Sequence, residues 1–101
     1  MKNDARELSI KILINFENTK KHLNEIQNKL FLNKNYSTQV KSRSKVLTNE
    51  IIRFKGRIDY IMEKISGRRN KNFNINLISI LRLAFYEILF DPNIPDYASV
   101  N

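Results

Sequence analysis

The stretch LTNEIIRFKGRIDYIMEKI, residues 47–65, decides the fold class. Leu47, Ile51, Phe54, Ile58, Ile61 and Ile65 recur at alternating steps of four and three. That spacing keeps returning to one side of an α-helix and gives an apolar seam of coiled-coil type. Gly56 stands inside the seam and costs about 1 kcal/mol against alanine, so a kink or a break into two helices is expected there. On the opposite side Lys45, Asn49, Arg53 and Arg57 follow one another at spacing four. Successive members drift by about 40° around the helix, so they form a slanted polar stripe roughly 18 Å long. Lys41 and Arg43 lengthen the row if the helix starts early.

The flanking sequence supplies the partners for this seam. A first helix is read over residues 4–18, capped by Asn3 or Asp4. Ala5, Leu8, Ile12 and Phe16 share one face, with Leu13 beside it, while Ile10 and Ile14 point the other way. A helix apolar on two sides belongs between two layers, which makes this one central. A partner surface at Ile10 and Ile14 is the alternative. A second helix spans residues 21–33 with Leu23, Ile26, Leu30 and Phe31 inward, followed by the polar connection NKNYS. Beyond the seam, residues 66–74 form a loop carrying Arg68, Arg69 and Lys71. A last helix over residues 75–90, with Asn74 as its cap, is apolar nearly all round and is expected at the buried centre of a bundle. DPNIPD, residues 91–96, ends it. The fold expected is all-α, in a single domain over residues 1–101.

Composition narrows the function class. Across 101 residues, 18 Lys or Arg face 10 Asp or Glu, a formal net charge of +8. Residues 41–71 hold ten of the cations against Glu50, Asp59 and Glu63 alone, so the excess is concentrated in the middle of the chain. A concentrated basic patch attracts a polyanion, and phosphate backbones are the usual one. The chain has no cysteine, which excludes a disulfide framework or thiolate metal site and fits a reducing, cytoplasmic setting. The opening MKNDARELSIKILINF is interrupted by Asp4, Arg6, Glu7 and Lys11 and is read as neither a signal peptide nor a membrane span.

Enzyme signatures are missing. There is no glycine-rich phosphate loop and no dinucleotide fingerprint, so no cofactor is expected. His22 sits among Lys20, Lys21 and Asn24 without a second ligand at metal spacing. Asp59 and Glu63 lie four apart on one helix face, where pairing with basic neighbours explains them. Arg82, on the apolar helix, needs a carboxylate partner if buried, and Glu87, Glu50 or Asp59 is expected to supply it.

Three segments carry a family resemblance. ARELSIKIL, residues 5–13, resembles the opening of NusB-type domains; IIRFKGRIDYIMEKIS, residues 51–66, resembles their third-helix region; and ILRLAFYEILFDPNIPDYASVN, residues 80–101, resembles their most distinctive segment. The matches run the length of the chain in the right order. The resemblance implies two small helical bundles sharing an interface, and a function without catalysis. Two kinds of protein carry such a domain. One is a stand-alone transcription antitermination factor that binds the boxA element of ribosomal RNA leaders together with the ribosomal protein NusE. The other is the N-terminal RNA-recognition domain of RsmB-type 16S rRNA cytosine-5 methyltransferases. Residues 57–60 and 94–98 lean toward the second kind, and residues 83–87 toward the first.

The sequence also departs from the family pattern. The N-terminal arm, often arginine-rich, offers only Lys2 and Arg6, and Glu50 stands where a glycine is usual. The chain stops at Asn101, where the family continues into a closing helix, so a bundle lacking its last helix is expected, with apolar surface on the preceding helix left open. The reading is a non-catalytic RNA-binding module in antitermination, with Lys2, Arg6, Lys41, Arg43, Lys45, Asn49, Arg53 and Arg57 as candidate RNA contacts. Its alternatives are the detached methyltransferase domain and a protein-interaction module without RNA. No membrane role is implied, and the sequence leaves the oligomeric state open.

Overall fold

Helix α1, Ala5–Asn18, begins where the Asp4 carboxylate accepts a hydrogen bond from the Glu7 backbone N–H at 2.8 Å, satisfying one of the free donors of the first turn. It ends at Thr19, whose hydroxyl and backbone N–H both donate to the Asn15 carbonyl. The computed structural model describes residues 4–69 and 73–90. Among these, four more helices follow: α2, Leu23–Leu30; α3, Thr38–Arg53; α4, Lys55–Ser66; and α5, Ile75–Leu89. No strand occurs among the described residues.

The two-sided apolar pattern of α1 is realised as two cores. Leu8 and Ile12 are fully buried in one, with Ile26 and Tyr36 and with Phe16, Leu23, Leu30, Phe31 and Val40 packed around them. Leu13 enters the other, built from Leu47, Ile51, Ile58, Met62, Ile78, Leu83 and Tyr86. Ala5 and Ile10 pack against this second core, so Ile10 is no partner surface. Helix α1 therefore divides two small bundles, α2 with the start of α3 on one side and α3, α4 and α5 on the other.

Small polar residues set the spacing between α1 and α3. Ser9 and Ser44, both fully buried, meet through their hydroxyls at 3.0 Å. That satisfies two groups that burial would otherwise penalise. Gln27 of α2, also buried, donates from Nε2 to Thr48 Oγ1 at 2.8 Å and to Asn49 Oδ1 at 2.9 Å. Tyr36 closes the connection between α2 and α3, donating to Glu7 Oε1 at 3.0 Å and accepting from Lys11 Nζ at 2.9 Å.

The seam is not one helix. It starts early, at Ser37, whose side chain caps the Val40 N–H at 3.1 Å. It breaks at Phe54 (φ −96°, ψ 8°), two residues before the glycine expected to break it. Phe54 stacks on Phe90 at 5.1 Å with the rings 2° apart, and on Tyr86 at 6.3 Å. The aromatic contact with α5 thus coincides with the break, and Gly56 follows inside the first turn of α4. Leu47, Ile51 and Ile58 are buried as expected, but Met62 replaces Ile65, which is 71% exposed in the last turn of α4. Gly67 ends that helix in the left-handed region at φ 71°, where glycine carries no Cβ penalty.

Helix α5 starts at the expected cap, Asn74, which accepts from the Leu77 N–H at 2.7 Å. It is not buried all round: Leu77, Ile80, Ile88 and Leu89 are exposed, while Ile78, Ser79, Arg82, Leu83 and Tyr86 face inward. The place of the central helix belongs to α1. Tyr97–Asn101 and the DPNIPD stop lie outside the described residues.

Candidate nucleic-acid interface

Helix α3 positions most of the candidate residues. Its inner side is fixed by Ser44, Leu47, Thr48 and Ile51. Lys45, Asn49 and Arg53, each one turn from the next, are left exposed on the outside. Lys41 and Arg43, in the first turns of the same helix, are half-buried. Asn49 is the most constrained member, because its Oδ1 accepts from the buried Gln27 amide. Its Nδ2 group is thereby aimed by the fold and not by its own rotamer freedom.

The break at Phe54 falls between Arg53 and Arg57, so the stripe is shared by two helices. The aromatic stack at the break holds both arginines. The Arg53 guanidinium lies 5.4 Å from the Phe54 ring centre and that of Arg57 lies 5.4 Å from Phe90. Stacking of this kind orders a guanidinium without consuming its hydrogen-bond donors. Sequence reasoning found the two cations but not the aromatic pair between them. The signal was the sequence RFKGR itself, an aromatic set directly between arginines.

Among the described residues, Glu50 and Glu87 bring carboxylates to the patch. Arg53 lies 3.6 Å from Glu50, with its side chain 71% exposed, a pair of small energetic weight in water. Arg6 of α1 pairs with Glu87 of α5 at 3.0 Å. Glu87 is one turn before Phe90, so the α5 end that receives Arg57 receives Arg6 as well. Arg6, Arg53 and Arg57 are thus associated with the Phe54–Phe90 end of the molecule, and Lys41, Arg43 and Lys45 with the first half of α3. Lys2 lies outside the described residues.

Other charged groups serve the frame. Arg82, buried on α5, makes a two-point contact with Asp59 of α4, at 2.9 and 3.0 Å, and meets Glu17 of α1 at 3.3 Å. Of the three carboxylates expected to supply its partner, Asp59 does so, and Glu17 is a fourth that the sequence did not suggest. Lys55 joins at 3.1 Å from Glu17. Burial opposes the Glu17 charge, but the hydrogen bond from Lys55 and the positive charges of Lys55 and Arg82 outweigh it, holding its pKa below the ordinary 4.5. No group of three or more His, Asp or Glu able to hold a metal is found among the described residues. No helix there is long and apolar enough to cross a membrane.

The family model of the NusB family matches residues 3–101. The chain belongs to the NusB family. Among curated proteins it is similar to the transcription antitermination protein NusB of Alkaliphilus oremlandii (strain OhILAs), with 34% identity over 100 residues, covering 96% of this chain and 71% of the relative. No solved structure gives a significant match. The all-α architecture of two small bundles sharing an interface is what the resemblance implies, and α1 forms that interface here.

Proposed function

We propose that this chain is a non-catalytic RNA-binding factor acting in ribosomal RNA transcription antitermination. Family membership and a relative named for antitermination along most of its length support this reading over that of a detached methyltransferase domain. The observation that carries the RNA contact is the exposed series Lys45, Asn49, Arg53 and Arg57 on successive turns of α3 and α4. Lys and Arg in such a row contact phosphates and supply affinity. Sequence choice comes from unpaired bases, and Asn49 is the polar side chain placed to read one. A protein partner, the ribosomal protein NusE in this reading, would use the exposed apolar side of α5, where Leu77, Ile80 and Ile88 stand uncovered.

The test is titration of single-stranded ribosomal leader RNA at two salt concentrations. Each phosphate contact adds about 0.7 to the magnitude of the slope of log affinity against log salt for a single strand. The wild-type chain should give a clear slope, and the double variant Arg53→Glu, Arg57→Glu a reduced one with weaker binding. A slope near zero for the unaltered chain contradicts the proposal.

A further inference from the structure

Tyr60 projects from α4 with 63% of its surface exposed. Its surroundings follow from helical spacing. Gly56, one turn before, contributes no side chain, and a Cβ built there would meet nothing within 4 Å. Arg57 and Ile61 lie alongside, and among the described residues these four line an open depression of about 430 Å³, with no carboxylate in that lining. Lys64, one turn after, places its ammonium 5.4 Å from the Tyr60 ring centre without lining the depression. Arg57 is held at the rim by its contact with Phe90. An exposed aromatic face over an empty helical position, flanked by two cations, matches the chemistry of an unpaired base with a phosphate on either side. A protein segment would gain little from the two cations unless it were acidic.

We infer that the depression between Gly56 and Tyr60 is a stacking subsite for one unpaired nucleobase of single-stranded RNA. Tyr60 is the platform, and Arg57 and Lys64 neutralise the flanking phosphates. This rests on the RNA reading given above and extends it. Arg57 ends the cationic row, and Tyr60 lies one turn further along α4, so a strand that follows the row arrives at the ring. Because every base has an aromatic face, the subsite adds affinity with little sequence preference.

The experiment measures binding of a labelled, unstructured single-stranded RNA of about 12 nucleotides by fluorescence anisotropy at two salt concentrations. Tyr60→Ala should weaken binding about 5- to 150-fold, the range for loss of one stacked base, and leave the salt slope unchanged. Tyr60→Phe keeps the ring and should restore binding. Gly56→Leu fills the depression and should weaken binding without loss of thermal stability, since leucine is the better helix former, which separates blockage from misfolding. If the unaltered chain binds with a salt slope and both Tyr60→Ala and Gly56→Leu bind as it does, the subsite is refuted and the RNA reading stands. If the unaltered chain shows no salt-dependent binding, both fall.

Discussion

Arg82 and Asp59 face each other squarely, Nε at 2.9 Å from one carboxylate oxygen and Nη2 at 3.0 Å from the other, with the arginine side chain only 7% exposed. The fork geometry fixes the orientation of α5 on α4, because a guanidinium accepts a carboxylate bidentately only when the two planes align. Glu17 brings α1 into the same network. Arg82→Met keeps roughly the volume but leaves Asp59 without its cation and Glu17 with Lys55 alone. Loss of one partner of a buried pair is strongly destabilising, and with both carboxylates partly exposed the expected cost is about 2–4 kcal/mol. Adding Asp59→Leu to Arg82→Met should recover part of that loss. Urea unfolding of the single and double variants checks it, and equal stability of Arg82→Met and wild type would show the network to be ornamental.

The same network makes stability depend on acid. Glu17 has a folded pKa below the ordinary 4.5, so protons bind the unfolded chain more readily and favour it. Its contribution is fully present above about pH 4.5 and is lost as pH falls through the lower folded value. The wild-type melting temperature should therefore drop on acidification below that point more steeply than the melting temperature of Glu17→Gln, which has no charge to lose. Parallel curves for the two proteins over that window would contradict the assignment.

Much of this frame was legible in the sequence, and the misreadings have identifiable causes. The two-sided pattern of α1 predicts a helix between layers because Leu8 and Ile12 lie on one side and Ile10 and Ile14 on the other, a local property that periodicity can carry; that Leu13 joins Ile10 at the second core is what the packing adds. Propensity ranks glycine as the weak point and so points to Gly56, whereas the break falls at Phe54, where a stacking contact with Phe90, 36 positions away, accompanies it. Ile65 belongs to the seam only if the four-three count runs on unchanged from Leu47; the break at Phe54 shifts the phase, and Met62 takes the inward position in α4. Hydrophobicity alone puts α5 at the centre, yet the exposure of Ile80 and Ile88 depends on which elements stand beside it. Among the site residues, spacing brought out Lys45, Asn49, Arg53 and Arg57. The pairing of Arg6 with Glu87 joins residues 81 positions apart, and no local pattern encodes it.

The two glycines should respond to alanine in opposite directions. At Gly56 the φ angle is not positive and an added Cβ meets open space, so alanine lowers the entropy of the unfolded chain and should stabilise by about 0.5–1 kcal/mol. At Gly67 the backbone holds φ 71° to cap α4, and a Cβ there is strained, so alanine should destabilise by about 1 kcal/mol. Thermal denaturation of the two single variants tests both signs at once, and a shared sign would mean that one of the two backbone conformations is misassigned.

Arg6 offers a last test, because its present partner competes with the proposed ligand. The Arg6 side chain is 54% exposed while that of Glu87 is 14% exposed, so the arginine can turn toward solvent more readily than the glutamate. An ion pair that open to water is worth about 0–1 kcal/mol, and exchanging a carboxylate for a phosphate changes little in its hydrogen bonding. Removing the glutamate charge should then loosen the hold on Arg6 and remove a repulsive group from the patch. Glu87→Gln is expected to tighten single-stranded RNA binding by about 2- to 5-fold, more at low salt than at high salt, since screening weakens both effects. In an Arg6→Ala background the gain should shrink, because only the repulsive part remains. If Glu87→Gln raises affinity equally with and without Arg6, the arginine does not touch RNA and the glutamate acts on the neighbouring Arg57 alone.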